Sequence, residues 1–531
     1  MENGRKTRMF WRAASGGKRR RGALAALGAF AAAMLPACSG CQVDIERSDT
    51  ASADGAYSGL VVGGTQPDGA FVVARHERAP GDDEVVLVSL AEGERRTCSL
   101  GKAFAYSVSS SPRPGYAGAE PRVDARPARI LMYEGEREAE SWDLRIVDAS
   151  CAERLRVPSV VASRWPTRVT MYGILDDNND LKGYAAQTTA GEVVWIDPWA
   201  GTTRTIAEGV SFFRYYPDHF WLIEGGKLVV RDLDGNIVQT AGTGVTEIGV
   251  GPFGTEVAYV DESGLWVLKL GEDAPMAIPT KAAPCSLQYH QWGASPKLTY
   301  REDCAAGVLA ILDRTTGEKR VFDSGGVTSV RSYGLQGAFW LFFEREEPGK
   351  KRELWAVREA DEPVLVGTDP KLDPGIDSHG EGFLFVLDHD GETGTLGKWT
   401  LQGGFSPLVE GYAGEARGVS RDYLAVLADA QEDVGTLVVF NGETLAEVHR
   451  VPRVHQTPLF SRQAPALGYV HDWDDTLGAG TFTVWVPVNG QQIDVDTGVN
   501  EFAELVWPEP GVVYAVRTPG RAGLWTAYAD Y

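Results

Sequence analysis

A chain of 531 residues is too long for one ordinary hydrophobic core unless that core is assembled from repeats. Its 73 acidic against 51 basic side chains give a formal net charge of −22, which argues against nucleic acid as a partner.

The first forty residues read as a separate object. "RKTRMFWRAASGGKRRRG" is basic, "ALAALGAFAAAML" is apolar but too short to span a bilayer as a helix, and "PACSGC" follows. This is the pattern of an export signal, expected over residues 1–37. Leu35-Pro36-Ala37-Cys38 resembles the bacterial lipobox, with Pro36 standing where that pattern has a small residue. The resemblance implies that Cys38 is acylated and becomes the new N-terminus; Cys41 is a poorer second match. Two or three acyl chains, at about 0.8 kcal/mol per buried methylene, make a stable anchor. Ser39, rather than Asp, implies by the same resemblance the outer membrane of a Gram-negative bacterium. Removing residues 1–37 removes eight Lys/Arg and one Glu, so the mature chain carries −22 − 7 = −29. Such a charge disfavours direct contact with anionic lipid, leaves the lipid anchor as the expected membrane contact, and suits cationic partners.

"QVDIERSDTASADGA" (42–56) is polar and aperiodic, so residues 38–56 are expected to form a flexible tether. From Tyr57 onward one pattern repeats: an apolar strand, a turn, a second apolar strand, then a turn marked by Gly or Asp. The second strands begin at Val85, Leu144, Val193, Leu228, Leu265, Val308, Leu354, Leu396, Leu437, Phe482 and Leu524. The clearest copies are "VAYVDESGLWVLKLGED" (257–273) and "VVYAVRTPGRAGLWTAYAD" (512–530). A spacing near 42 residues, in short strands rich in Val, Leu, Trp and Tyr, predicts the blades of an all-β propeller. Runs such as "LWVLKL" are continuously apolar because a middle strand of a blade is covered on both faces. Trp195, Trp266, Trp355, Trp399, Trp485 and Trp525 recur there and are expected to pack between blades. Eleven units exceed the usual four to eight of one ring. The steps become regular at Leu265, so 245–531 is read as a seven-bladed ring and 57–244 as a divergent propeller-like part, with two rings as the alternative. The last unit lacks an outer strand, and "YSGLVVGG" (57–64) is the expected strand to close it.

Before the paired strands stand "QPDGAFVVA" (66–74), "YPDHFWLI" (216–223), "GPFGTEVAYV" (251–260) and "EPGVVYAV" (509–516). These phrases resemble the P-D-G signature of TolB-like propellers, related to WD-type repeats. "VLAILDRTTGEKRVF" (308–322) also resembles a quinoprotein-type blade, as in the lipoprotein of the outer-membrane barrel assembly machine. The resemblance implies fold more than role.

Export permits disulfides. Cys285 and Cys304 would close a short loop worth roughly 3 kcal/mol in the chain-entropy model. Cys98 and Cys151 each follow an apolar run and form the second expected pair.

No catalytic or metal-ligating constellation stands out, and no cofactor is expected. Ser99 and Lys102 match S-x-x-K without its partner motifs. Gly249, Gly251 and Gly254 spell G-x-G-x-x-G but precede a strand, which marks a blade turn rather than a phosphate site. His449 and His455 flank Pro452, a poor metal pair. "DDNNDLKG" begins like a calcium loop but lacks its Gly and its bidentate Glu.

The most informative polar feature is a series of acidic turns between the paired strands: Asp176 and Asp180, Asp261 and Glu262, Asp303, Asp388 and Asp390, Asp433, then Asp472 and Asp474. Turns favour Asp for local reasons. In a propeller, however, such turns share one face, and their potentials add within a Debye length of about 8 Å. The expected function is a non-catalytic lipoprotein whose propeller binds a protein or glycan at the cell envelope through this acidic face. The alternatives are an enzyme with its site in the central funnel, such as a quinoprotein-like oxidoreductase or lyase, and an outer-membrane assembly factor.

Overall fold

The eleven repeated strand pairs find their physical form in eleven four-stranded antiparallel units. A computed structural model describes residues 44–530 apart from 53–55, 66–68, 80–81, 91–96, 112–125, 137–138, 162–170, 176–180, 252–253, 293–294, 323–324, 336–337, 359–360, 372–376, 380–381, 413–416, 420–421, 432, 461–465 and 506–510. Residues 47–528 form one compact unit that holds blades 1 to 10 in full. Cys38 and Cys41 lie outside the described residues.

Blade 1 runs through Ala56–Thr65, Gly69–Ala79, Asp82–Ser89 and Thr97–Gly101, each strand pairing with the next. Seven further sheets repeat this plan up to blade 8, whose strands are Asp377–His379, Gly382–Leu387, Gly394–Thr400 and Gly404–Tyr412. The last sheet has ten strands because two long strands each serve two blades. Glu447–Phe460 pairs through His455 with Val434–Asn441 and beyond it with Leu467–Asp474. Gln491–Leu505 does the same between Ala479–Val486 and Gly511–Val516. All eleven apolar runs named in the sequence fall in the third strand of a blade. No helix occurs among the described residues. The chain is an all-β propeller protein.

Continuous cover is found in the second strands, as in Gly382–Leu387, where every residue is buried. Third strands, including the "LWVLKL" run expected to be covered on both faces, alternate between buried and partly exposed positions, with Trp266 half-buried. The large apolar side chains meet between blades. Phe71 and Val73 of blade 1 pack on Ile130 and Met132 of blade 2. Trp221 and Val230 of blade 4 pack on Val257 and Tyr259 of blade 5, across the sequence boundary at 244/245. Val513, Ala515 and Leu524 of blade 11 pack on Val72, Ala74 and Val86 of blade 1. The last blade thus meets the first.

Two readings of the N-terminal segment are corrected. Asp44–Ser52 is a strand, not part of a flexible tether, and it lies beside Gly523–Asp530 as the outermost strand of blade 11. It therefore takes the closing place expected of 57–64, which instead form the first strand of blade 1. An outermost strand is selected for backbone pairing rather than for apolar side chains, so "DIERSDTAS" carries no hydrophobic signal. Its charges also suit an edge that must not pair further.

Carboxylates and a disulfide tie the circuit together. Glu501, at the start of the first strand of blade 11, accepts the N–H groups of Gly59 (2.7 Å) and Leu60 (2.9 Å) in blade 1. Glu247 of blade 5 does the same for Ser286 (2.9 Å) and Leu287 (2.7 Å) of blade 6. Both donor pairs sit at a β-bulge, where N–H groups leave the ladder. Cys98 and Cys151 form a disulfide between blades 1 and 2, and Cys285 and Cys304 form one within blade 6. Cys98 lies in a fourth strand and Cys151 in a turn after a third strand, so the two are not in equivalent places.

Candidate functional site

In an antiparallel meander, successive turns emerge at alternate ends. The turns between second and third strands share one end of the blades; those between first and second, and between third and fourth, share the other. Asp261, Glu262, Asp303, Asp388, Asp390, Asp433, Asp472 and Asp474 all occupy or border turns of the first kind, in blades 5, 6, 8, 9 and 10. The matching turn of blade 7 carries Glu346 and Glu347 but also Lys350 and Lys351, and Glu347 pairs with Arg345 and Lys350. Asp176 and Asp180 lie outside the described residues.

Local chemistry explains several of these residues. Asp261 Oδ1 accepts the N–H groups of Ser263 (2.8 Å) and Gly264 (3.2 Å) and the indole N–H of Trp266 (3.0 Å). Partial burial pushes its carboxyl up, but these donors outweigh it and hold the pKa below the usual carboxylate range. Asp303, Asp390 and Asp474 each accept two backbone N–H groups from the residues two and three positions on. The N–H groups of Thr393 and Glu392 hold the Asp390 carboxyl low. Asp388, Asp429 and Asp472 stand at matching positions of blades 8, 9 and 10, each with φ of 51°. Asp tolerates this left-handed conformation better than most residues. The same side-chain-to-backbone turns occur at the other end, at Asp148, Asp232 and Asp313.

A negative excess nevertheless remains where the structural role ends. Glu262, Asp388, Asp390, Glu392, Asp433, Asp472, Asp474 and Asp475 are exposed. The nearest cations neutralise part of it: Lys351 lies 3.8 Å from Asp388, and Arg453 lies 3.6 Å from Asp475. The turn of blade 11 at this end, "RTPGRA", carries Arg517 and Arg521 instead of acids. Arg521 pairs with Asp496 at 2.7 Å.

The opposite end holds a cleft of about 320 Å³ between blades 7 and 8. Trp340, Phe383 and Trp399 form its floor, Leu335, Ala338 and Leu401 its apolar walls, and Arg358, Thr400 and Gln402 its polar rim. Trp340 and Trp399 meet edge to face, with centroids 5.6 Å apart. No sequence motif marks this cleft. Trp340 stands in "AFWLFF", which reads as core, and the walls come from turns of two different blades.

The remaining motifs are absorbed by packing. Gly254 bends with φ of 68°, and its carbonyl accepts the indole N–H of Trp221 (2.8 Å). A Cβ there would meet Tyr216 at 2.5 Å, so this position of the G-x-G-x-x-G phrase requires glycine. His449 stacks on Trp485 and His455 on Trp473. In "LDRTTG", Arg314 makes a two-pronged pair with Glu256 of blade 5, both bonds 2.9 Å, and Tyr289 adds a third at 2.8 Å. That phrase serves as a tie between blades. Ser99 donates to Glu84, and Lys102 lies 3.6 Å from Asp82.

No family model matches the chain, and no curated protein matches it. Among solved structures, a eukaryotic initiation factor is similar at 11% identity over 68% of this chain and 95% of that one, with a TM-score of 0.34. An oligogalacturonate lyase in complex with manganese is similar at 10% identity over 76% and 98%, with a TM-score of 0.31. TolB from Acinetobacter baumannii is similar at 11% identity over 68% and 77%, with a TM-score of 0.21.

Proposed function

We propose that the protein is an exported lipoprotein, anchored through acylated Cys38, whose eleven blades act as one non-catalytic platform for a cationic protein or glycan partner at the cell envelope. The observation that carries this reading is the set of exposed carboxylates at one end of blades 5, 8, 9 and 10. Glu262, Glu392 and Asp475 are exposed members of it with no backbone group to cap among the contacts described. Two disulfides suit an oxidising compartment. Long-range attraction of this kind raises the association rate more than the affinity, and salt screens it.

The test uses decalysine as a cationic probe on immobilised protein at low and physiological salt. Reversal of Glu262, Glu392 and Asp475 to Lys should slow association about tenfold at low salt and flatten its salt dependence. Reversal of Glu318 and Glu443, in third-to-fourth turns, should do much less. Equal effects from both ends would reduce the acidic turns to solubilising charge. Capture of envelope proteins by the native chain, lost in the triple variant, would then identify the partner.

A further inference from the structure

We propose that the cleft between blades 7 and 8 is a binding site for a small organic anion built on a flat ring, with Arg358 as its anion contact. Its volume, about 320 Å³, falls at the lower end of the range of small-molecule sites. Trp340, Phe383 and Trp399 lie buried beneath it, so the part of a ligand that reaches the bottom meets ring edges and faces, while Arg358, Thr400 and Gln402 make its rim polar.

The Arg358 guanidinium lies 5.9 Å above the Trp340 ring. That contact keeps the cation beside the indole at the rim of the cleft. Arg358 is exposed and makes no salt bridge with a carboxylate among the described residues. In a chain with 73 acidic side chains, most arginines near the blades are already spent in this way: Arg145 on Glu134, Arg231 on Glu224, Arg314 on Glu256. An arginine beside an indole at the rim of a cavity has the fork of N–H donors that receives two oxygens of a carboxylate or sulfonate. Thr400 and Gln402, on the rim contributed by blade 8, supply a hydroxyl and an amide for further polar groups of the ligand. Leu335 and Leu401 close on its apolar edges; Leu401 is 37% exposed and gains cover when the cleft fills.

The cleft opens at the end opposite the acidic turns, so this site does not depend on the proposed partner surface, and either can fail alone. The probe is 8-anilinonaphthalene-1-sulfonate, an aromatic anion, with N-phenyl-1-naphthylamine as its uncharged counterpart, both titrated into the full-length protein. One equivalent of the anion should bind with energy transfer from tryptophan. Arg358→Gln should weaken it about tenfold and change the neutral probe less than twofold; Arg358→Lys should fall between. Ala338→Leu, which fills the cleft, should abolish binding of both. Should that variant misfold, Arg358→Glu, an exposed change that leaves the core intact, decides the matter by weakening the anion further while sparing the neutral probe. Equal loss of both probes in Arg358→Gln, or undiminished anion binding in Arg358→Glu, would overturn the assignment. Variants in the acidic turns should leave the anion titration unchanged.

Discussion

His290 makes the stability of the protein dependent on pH in a calculable way. It lies in the first strand of blade 6 and is 8% exposed. Its Nε2 is 2.7 Å from Thr299 Oγ1, and Ser332 Oγ from blade 7 meets its Nδ1. Phe339 packs against the ring at 5.8 Å. Burial without a nearby anion pushes its pKa down to about 4. The folded state therefore binds this proton less readily than the unfolded chain, where histidine titrates near 6.5. The contribution is complete above pH 6.5 and is lost as the pH falls toward 4. At 1.36 kcal/mol per unit, that loss is about 3 kcal/mol by pH 4. His290→Gln removes the titration while keeping an acceptor and a donor for Ser332 and Thr299. Urea unfolding of both proteins at pH 7, 6, 5 and 4 is the assay, and the difference between them is the readout. Asp148 and Asp261, whose carboxyls are held low, also lose stability in acid, but they do so in both proteins. The advantage of the wild type over the variant should shrink by about 3 kcal/mol between pH 7 and pH 4. Parallel curves would show that the His290 ring is hydrated or finds an anion when charged, and the argument from burial would be wrong.

Three further outcomes follow from the chain's covalent and inter-blade ties. Cys38→Ala should move the protein from the membrane fraction to the soluble fraction; continued membrane partitioning would reject acylation there as the anchor. Nonreducing digestion should yield Cys285 linked to Cys304 and Cys98 linked to Cys151, and Cys304→Ser should cost roughly 3 kcal/mol in urea titration. Glu501→Ala leaves the N–H groups of Gly59 and Leu60 without their carboxylate, so the blade 11 to blade 1 junction should weaken by about 2 kcal/mol. Glu501→Gln, which keeps one good acceptor, should cost less, and a loss under 0.5 kcal/mol for the alanine variant would mean that this bidentate contact does not hold the circuit.

Second and third strands were legible because they carry the buried side chains of each blade: second strands such as Glu256–Asp261 are buried almost throughout, and third strands at their central positions, which leaves short apolar runs such as those opening "LVVRD" and "VLAILD". First and fourth strands lie toward the rims of each blade and tolerate polar side chains, so their bounds were not readable. The same reason concealed Asp44–Ser52, whose partner needs only its backbone. The disulfides were legible because a short cysteine spacing and two apolar flanks constrain pairing. The cleft was not, since Ala338, Arg358 and Leu401 become neighbours only through the spacing of two blades.

The two copies of the G-L-W phrase, at Gly264 and Gly523, occupy the same place in blades 5 and 11, and their comparison locates what the scaffold leaves free. In each copy the tyrosine of the second strand pairs across the ladder with the tryptophan of the third: Tyr259 with Trp266, Tyr514 with Trp525. In each, the indole N–H turns back to the intervening turn, to Asp261 Oδ1 at 3.0 Å in blade 5 and to the Arg521 carbonyl at 3.1 Å in blade 11. The aromatic pair is what the blade requires, and either a carboxylate or a backbone oxygen satisfies the indole. The charge of the turn is therefore not fixed by the fold. Blades 5 to 10 place acids there, whereas blade 11 places Arg517 and Arg521. Exchanging "DES" of blade 5 for a turn of opposite charge, with Trp266 retained, should leave stability within about 1 kcal/mol, because exposed turn charges contribute little. It should lower the decalysine association rate in proportion to the charge removed. A large stability loss would instead show that Asp261 is irreplaceable as the indole acceptor, and that the acidity of this end begins as a structural requirement.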